Sequence, residues 1–558
     1  MTNESRSNGF IGSLLTGRLS RRDLAQRAAA AGLSTSAIAS ILASGGQVTA
    51  AQEASEAEVV PGGEIVVGLN LEPDNLDPAV TPYAVSHSVM MNIFDTLVWR
   101  ANDGSFLPGL AESWEVSDDG KAYTFALREG VTFHDGTPFN AEAVKFTFDH
   151  IVDPESRSGF ASSLLGPYDH TEIVDDLTAK VHFKEPYAPF LDSASQAFLG
   201  IVSPTAVQAD REAFLRNPVG TGFMKFDEWV HNDHITLSRN PDYNWASPLF
   251  EHSGPAYLDK VTFRFYTDMP TRLAALEAGD ADLIQTPPYN EIQRLQDDDR
   301  YGVNLVINPG LPVVLILDST KAPTDDLAVR QALNLALDRQ FVVDQGMFGF
   351  TRPSYGPLWE STPYYSSEVE GLYPYDPEKA KQLLDEAGWV AGADGIREKD
   401  GQRLTISLAS TDFLTPFRDI SQALWSEVGI EVNVQTMTNA AAVEAMSNSE
   451  VNAAGQAWIS SDPVVLSNLF HSKNISGGFA WSKFSDPHLD DLLERGESTV
   501  DEDERAQIYA EVQQIVMENA LIIPYYGNPE TSIAFESQYQ GIKQDFRNYL
   551  WLYDAHVS

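Results

Sequence analysis

The chain has 558 residues, 43% of them hydrophobic and 21% charged, enough for several cores and unlike a disordered composition. Its 37 basic and 80 acidic residues give a formal net charge of -43, a surface that repels nucleic-acid phosphates and anionic lipid. It has no cysteine, which excludes disulfides, thiolate metal sites, a cysteine nucleophile and the lipid-modified cysteine of bacterial lipoproteins.

The N-terminal stretch stands apart. Arg21 and Arg22 precede a weakly apolar run rich in Ala, Ser and Gly, and Thr49, Ala50 and Ala51 supply small residues suited to cleavage. Paired arginines before such a run resemble a twin-arginine export signal; an ordinary amphipathic helix is the alternative. Residues 1–51 are therefore read as a signal and set aside. No later window holds ~18 consecutive apolar residues, so a soluble, exported mature protein is expected.

"GGEIVVGLN" reads as a buried strand after a Gly-Gly break. In "KAYTFALREGVTFHDGTPF", Tyr123, Phe125 and Leu127 alternate, then Val131 and Phe133, as in strands with one buried face. Asp135-Gly136 supplies a turn, and Asn140 is an N-cap for a helix with Val144, Phe148 and Ile151 on one side. Farther on, Asp376-Pro377 and Asp486-Pro487 each combine an N-cap with a proline at the first helical position. Ala380, Leu383, Leu384 and Ala387 form an apolar stripe ended by Gly388; Leu489, Leu492 and Leu493 form another, and Ile508, Val512, Ile515 and Val516 a third. Strand-like runs such as "VVLILD", "RLTISLAS" and "IEVNVQTM" lie between the helices, an α/β pattern with mixed strands.

Catalytic signatures are missing: no H-E-x-x-H, no G-x-S-x-G and no phosphate-binding loop. His231 and His234 make an H-x-x-H pair, but in a context that reads as loop entering strand rather than helix. Asp297, Asp298 and Asp299 read as a solvated loop, not a cation site. Aromatic residues are the more suggestive class. Trp359, Tyr364, Tyr365, Trp458, Phe479 and Trp481 fall in irregular segments, where large rigid rings can line a cleft for a small solute as well as fill a core.

Several passages, in order, resemble family 5 of the extracellular solute-binding proteins, the dipeptide, oligopeptide and nickel receptors of ABC importers. "EPDNLDP" (72–78) is similar to the family's opening segment, and residues 92–149 to its longest signature. "NPVGTGFMKFDEW" (217–229), "LSRNPDYNW" (237–245), "GDADLIQ" (279–285), "DLAVRQALNLALDR" (326–339), "YDPEKAKQLLDEAGW" (375–389) and residues 481–516 complete it. The resemblance implies a two-lobed α/β periplasmic binding protein of the large peptide-receptor type, with an extra subdomain in the first lobe. Lobe one would combine residues 57–102, 220–307 and 527–558, the subdomain 103–219 and lobe two 308–526. It further implies a soluble periplasmic monomer that is not an enzyme and needs neither cofactor nor metal. Such a receptor binds a small solute, a peptide being favoured, closes about a hinge, and docks on ABC permease subunits in the inner membrane. The same role for an oligosaccharide, a secreted hydrolase, and a chemoreceptor adaptor or chaperone are the alternatives.

The resemblance assigns the cleft to Tyr83, Ala84 and Val85 on one side. Opposite them it places Trp359 and the loop Trp458, Ser460, Ser461 and Asp462, with Phe479 and Trp481 beside it. Peptide receptors of this family carry an aspartate three residues after the Trp, paired with the ligand's α-ammonium. Here that position is Ser461, and the acid follows at Asp462. Three outcomes are open: Asp462 takes the anchor's role, Asp462 caps the next helical turn, or the ligand has no α-ammonium. A sugar stacked on Trp458 and hydrogen-bonded by Ser460 and Ser461 would suit the last.

Overall fold

The computed structural model describes residues 59–558 except 103, 412–414, 530–531, 546 and 548. The expected export signal lies outside the described residues, and of the N-terminal unit ending at Val60 only two residues are described, both outside helix and strand. The fold is built within the unit Pro61–Ser558.

Among the described residues, two sheets organise this unit. The first has seven strands, with Glu64–Leu69 running parallel to both Lys260–Phe265 and Leu283–Gln285, and Ile533–Glu536 returning antiparallel near one edge. Ile65, Val67 and Leu69 point to one side with no exposure, the period of two that a strand imposes. A separate four-stranded antiparallel sheet (residues 111–127 and 168–183) shares that core, because Tyr123, Phe125, Val181 and Phe183 join one apolar cluster with the first sheet.

The second main sheet has five strands, with Gly310–Leu317 between Ala453–Ile459 and Ile522–Tyr526. All eight residues of Gly310–Leu317 are buried, which explains their unbroken apolar run: this strand is covered on both faces. Thr405–Ser410 and Glu431–Thr436 extend the sheet in parallel. Its core, from Leu311 to Tyr526, is a separate cluster from the first.

The helix caps form where the sequence places them. Asn140 Oδ1 accepts from the Ala143 amide at 3.2 Å, Asp376 from Lys379 at 2.9 Å and Asp486 from His488 and Leu489 at 2.7 and 3.2 Å. Gly388 takes φ +86°, the left-handed conformation that ends the helix Pro377–Glu386. One expectation differs. Val131 and Phe133 form no strand: the segment makes a single bridge, Thr132 to Pro138, because the turn at Asp135-Gly136 follows too soon for a ladder to grow. The His231 and His234 rings engage Glu72 and the pair Asp233 and Glu228, on a turn and the strand after it. Asp298 pairs with Arg300 in an exposed loop.

The chain passes between the main sheets at residues 305–309 and again from 527, and the two crossings touch: the Asn308 amide donates to the Asn528 carbonyl at 2.8 Å. Both crossings lie outside helix and strand, the kind of segment that can absorb the φ/ψ change of a hinge. No helix among the described residues is long and apolar enough to cross a membrane.

Candidate functional site

A cavity of about 580 Å³ lies between the lobes. Pro82, Ala84, Gly159, Phe160, Phe198 and Tyr549 line it from the first lobe, and Gln456–Ile459, Asn468 and Phe479 from the second. None of the lining residues is ionisable at neutral pH. Trp458 is its centrepiece: Phe160 approaches from across the cleft at 6.2 Å between ring centroids, and Phe479 meets the indole edge-on at 5.3 Å. A smaller chamber of about 270 Å³ adjoins it and shares Phe160, Ser163, Trp458, Ile459 and Asn468. That chamber is bordered by Glu185, Lys473 and Glu497, so charge is confined to one end.

The second-lobe wall is a strand edge. Ala453–Ile459 is paired along its length with Gly310–Leu317, but on its other side only Ala453 and Ala454 pair, with Leu408 and Ala409. From Gly455 to Ile459, no strand among the described residues occupies the second edge, and residues 456–459 line the cavity. Alternate amides and carbonyls there have hydrogen-bonding capacity to offer a guest.

On the opposite wall, Tyr83 precedes the helix Ala84–Ile93, which is almost entirely buried although it carries Ser86, His87, Ser88 and Asn92. His87 on its first turn stacks on Tyr549 at 4.0 Å, and its Nε2 accepts from the Ala197 amide at 3.2 Å. Burial, then the nearby Arg547 charge, pushes its pKa well below the usual histidine range, so the ring is a neutral support for a cavity-lining tyrosine.

The residues expected to form the site separate into two groups. Ala84, Trp458, Ser460 and Phe479 line the chambers. Tyr83 stands beside them, half-exposed, without lining either. Val85 is buried in the first core. Trp359 does not reach the cleft: its ring packs where a Cβ at Gly527 would lie 2.8 Å away, beside the hinge crossing, and the Arg352 guanidinium sits 5.3 Å above it. Trp481 is in the second core, 4% exposed. An aromatic near a loop in sequence goes wherever apolar surface is closest, and for these two that is the core.

The loop after Trp458 is committed to protein partners. Ser460 Oγ donates to the Asp462 carbonyl at 2.7 Å. Ser461, without exposure, donates through Oγ to Asp192 at 2.5 Å. Asp462 accepts both terminal nitrogens of Arg505 at 2.8 Å and the Val464 amide at 2.9 Å. Burial works against the Arg505 charge, but the Asp462 carboxylate, together with Tyr509 and Tyr364, holds the guanidinium's pKa above its ordinary value. Asp462 therefore begins the turn before the short helix Val465–Phe470 and neutralises a buried arginine, and both of its oxygens are occupied. Sequence reasoning missed Phe160, Phe198 and Tyr549 on the wall and Asp192 and Arg505 behind it. None of these carries a local signal: each reaches the cleft from 43 to 298 positions away along the chain from Trp458 or Asp462.

A family model described as bacterial extracellular solute-binding proteins, family 5, matches residues 105–477. The chain belongs to that family. It is the substrate-binding component of an ABC importer, a two-lobed receptor and not an enzyme. Similar proteins include the glutathione-binding protein GsiB of Pectobacterium atrosepticum, 30% identical over 85% of this chain and 90% of that one. Heme-binding protein A of Haemophilus influenzae is 32% identical over 81% of this chain and 85% of that one. Among solved structures, the periplasmic binding protein DppA from Helicobacter pylori in complex with the peptide STSA aligns at TM-score 0.75. It is 26% identical and covers 89% of this chain and 98% of that one.

Proposed function

We propose that this receptor captures a peptide or peptide-like solute between its lobes and delivers it to permease subunits in the inner membrane. The observation that carries this reading is the open edge of residues 455–459 facing an aromatic-walled cavity. An extended peptide adds to such an edge through its own amides and carbonyls, which give affinity, while its side chains fill neighbouring pockets. Peptide and glutathione binding by the relatives named above supports the same reading. The sugar alternative is weakened by the serines it depends on, since the hydroxyls of Ser460 and Ser461 already donate within the protein. An α-ammonium, where the solute has one, is met elsewhere than at Asp462, whose charge Arg505 already balances.

The reading includes a soluble periplasmic monomer exported by the twin-arginine route. Replacing Arg21 and Arg22 together by lysine should trap precursor in the cytoplasm; normal export of that variant would refute the route. For the solute, calorimetric titration of free and N-acetylated tri- to pentapeptides is the test. Heat of binding from any peptide, unchanged in Asp462→Asn apart from stability, is the expected result. Binding of oligosaccharides with none of the peptides would overturn the peptide reading.

A further inference from the structure

Asp192 lies on the short helix Phe190–Ser193, in the core shared with the four-stranded sheet, and only 7% of its side chain is exposed. Its carboxylate collects donors from both lobes. From its own side come Arg100, paired with Oδ1, and Gln196, whose Nε2 donates to Oδ2 at 3.3 Å. From the second lobe comes the Ser461 hydroxyl at 2.5 Å. Arg100 closes the circuit by donating to the Ser461 carbonyl at 3.2 Å. None of the three lines either aromatic chamber, while Arg100 and Asp192 border a separate cavity of about 540 Å³ with Tyr364, Asp462 and Arg505.

We propose that Asp192, Arg100 and Ser461 form a latch that holds the two lobes closed. Arg100 and Gln196 belong to the same side as Asp192 and stay with it when the lobes part. The Ser461 hydroxyl and carbonyl do not: opening breaks both bonds and returns the carboxylate to water. The contact is therefore made only in the closed state, and only differential contacts of that kind move an open–closed equilibrium. Because Ser461 sits three residues after Trp458, the latch also draws the strand edge and indole onto the first-lobe wall. At the position where peptide receptors of this family carry their ammonium-binding acid, this chain has a serine engaged in closure.

The absence of cysteine makes the test direct. Val174 on the four-stranded sheet and Val443 on the helix Asn439–Ser447 are exposed, one on each side of the cleft. Both changed to cysteine in the full chain and spin-labelled, they report the interlobe distance without any solute. Ser461→Ala should lower the closed-to-open ratio by about tenfold, the effect of losing a hydrogen bond to a charged group. Asp192→Asn should act similarly, Ser461→Thr should restore closure, and Ser461→Ala with Asp192→Asn should be no more open than either alone. A distance distribution unchanged by Ser461→Ala overturns the latch, as does strict additivity in the double variant or a wild type with no closed population. Ser461→Ala removes one oxygen from a loop, so the test stands even where Asp192→Asn fails to fold.

Discussion

Asp462-Pro463 and Asp486-Pro487 are the same dipeptide, 24 positions apart, each ahead of a helix in the second lobe. Asp486 is a plain N-cap: it accepts two amides of its own helix, and its local sequence says so in full. Asp462 also accepts a nearby amide, but its main partner is Arg505, 43 residues on, in a pair whose side chains are 7% and 8% exposed. What separates them is burial. An exposed carboxylate is content with backbone donors and water, whereas a buried one needs a countercharge.

The largest expected effect comes from breaking the buried pair. Arg505→Met leaves the Asp462 charge uncompensated, and urea denaturation should show a loss of about 3–5 kcal/mol. Asp462→Leu added to Arg505→Met should recover most of that loss; a double variant as unstable as the single one would mean that packing, not charge, set the cost. The tryptophans separate along the same line. Trp359→Ala, emptying a buried site beside the hinge, should cost about 3–5 kcal/mol. Trp458→Ala should cost less in stability and instead abolish the heat signal of peptide binding.

A pH scan isolates a third kind of buried group. His134 donates from Nε2 to the Gly222 carbonyl at 2.8 Å while its Nδ1 has no partner. Burial pushes its pKa down to about 4, against an ordinary value of 6.5. Between those values the unfolded chain binds the proton and the folded chain does not, so stability falls as pH drops through that window, by up to about 1.4 kcal/mol per unit. His134→Gln should flatten this part of the urea-midpoint profile; an identical slope would place the proton uptake on another group. The smallest effect belongs to the cap. Asp486→Ala should cost about 1 kcal/mol and leave the interlobe distance unchanged.

How far each feature could be read in advance follows the range of the interaction behind it. Asn140, Asp376 and Asp486 act on amides within three residues, so their caps were visible in the sequence, as was the run "VVLILD" that supplies most of the strand Gly310–Leu317. Ordered motifs carried the family and its two-lobed plan, because a long match constrains a whole architecture at once. Val131 and Phe133 alternated like a strand yet made only a bridge, since ladder formation needs length that the turn removed.

The site was legible only where one strand supplies it. Trp458, expected to face the cleft, lies on the wall of the candidate cavity, because residues 456–459 form one continuous wall. Trp359 and Trp481, similar in type and setting, went to the hinge and the core, since an indole's destination depends on which apolar surface folding brings near it. Asp462 shows the division most clearly. The sequence by itself determined that a carboxylate follows Trp458 four residues on; only the tertiary structure decided that Arg505 would neutralise it and that Asp192 would claim the serine beside it. Local hydrogen bonds are encoded by neighbours in the chain, but the partner of a buried charge is whichever opposite group the fold carries to it.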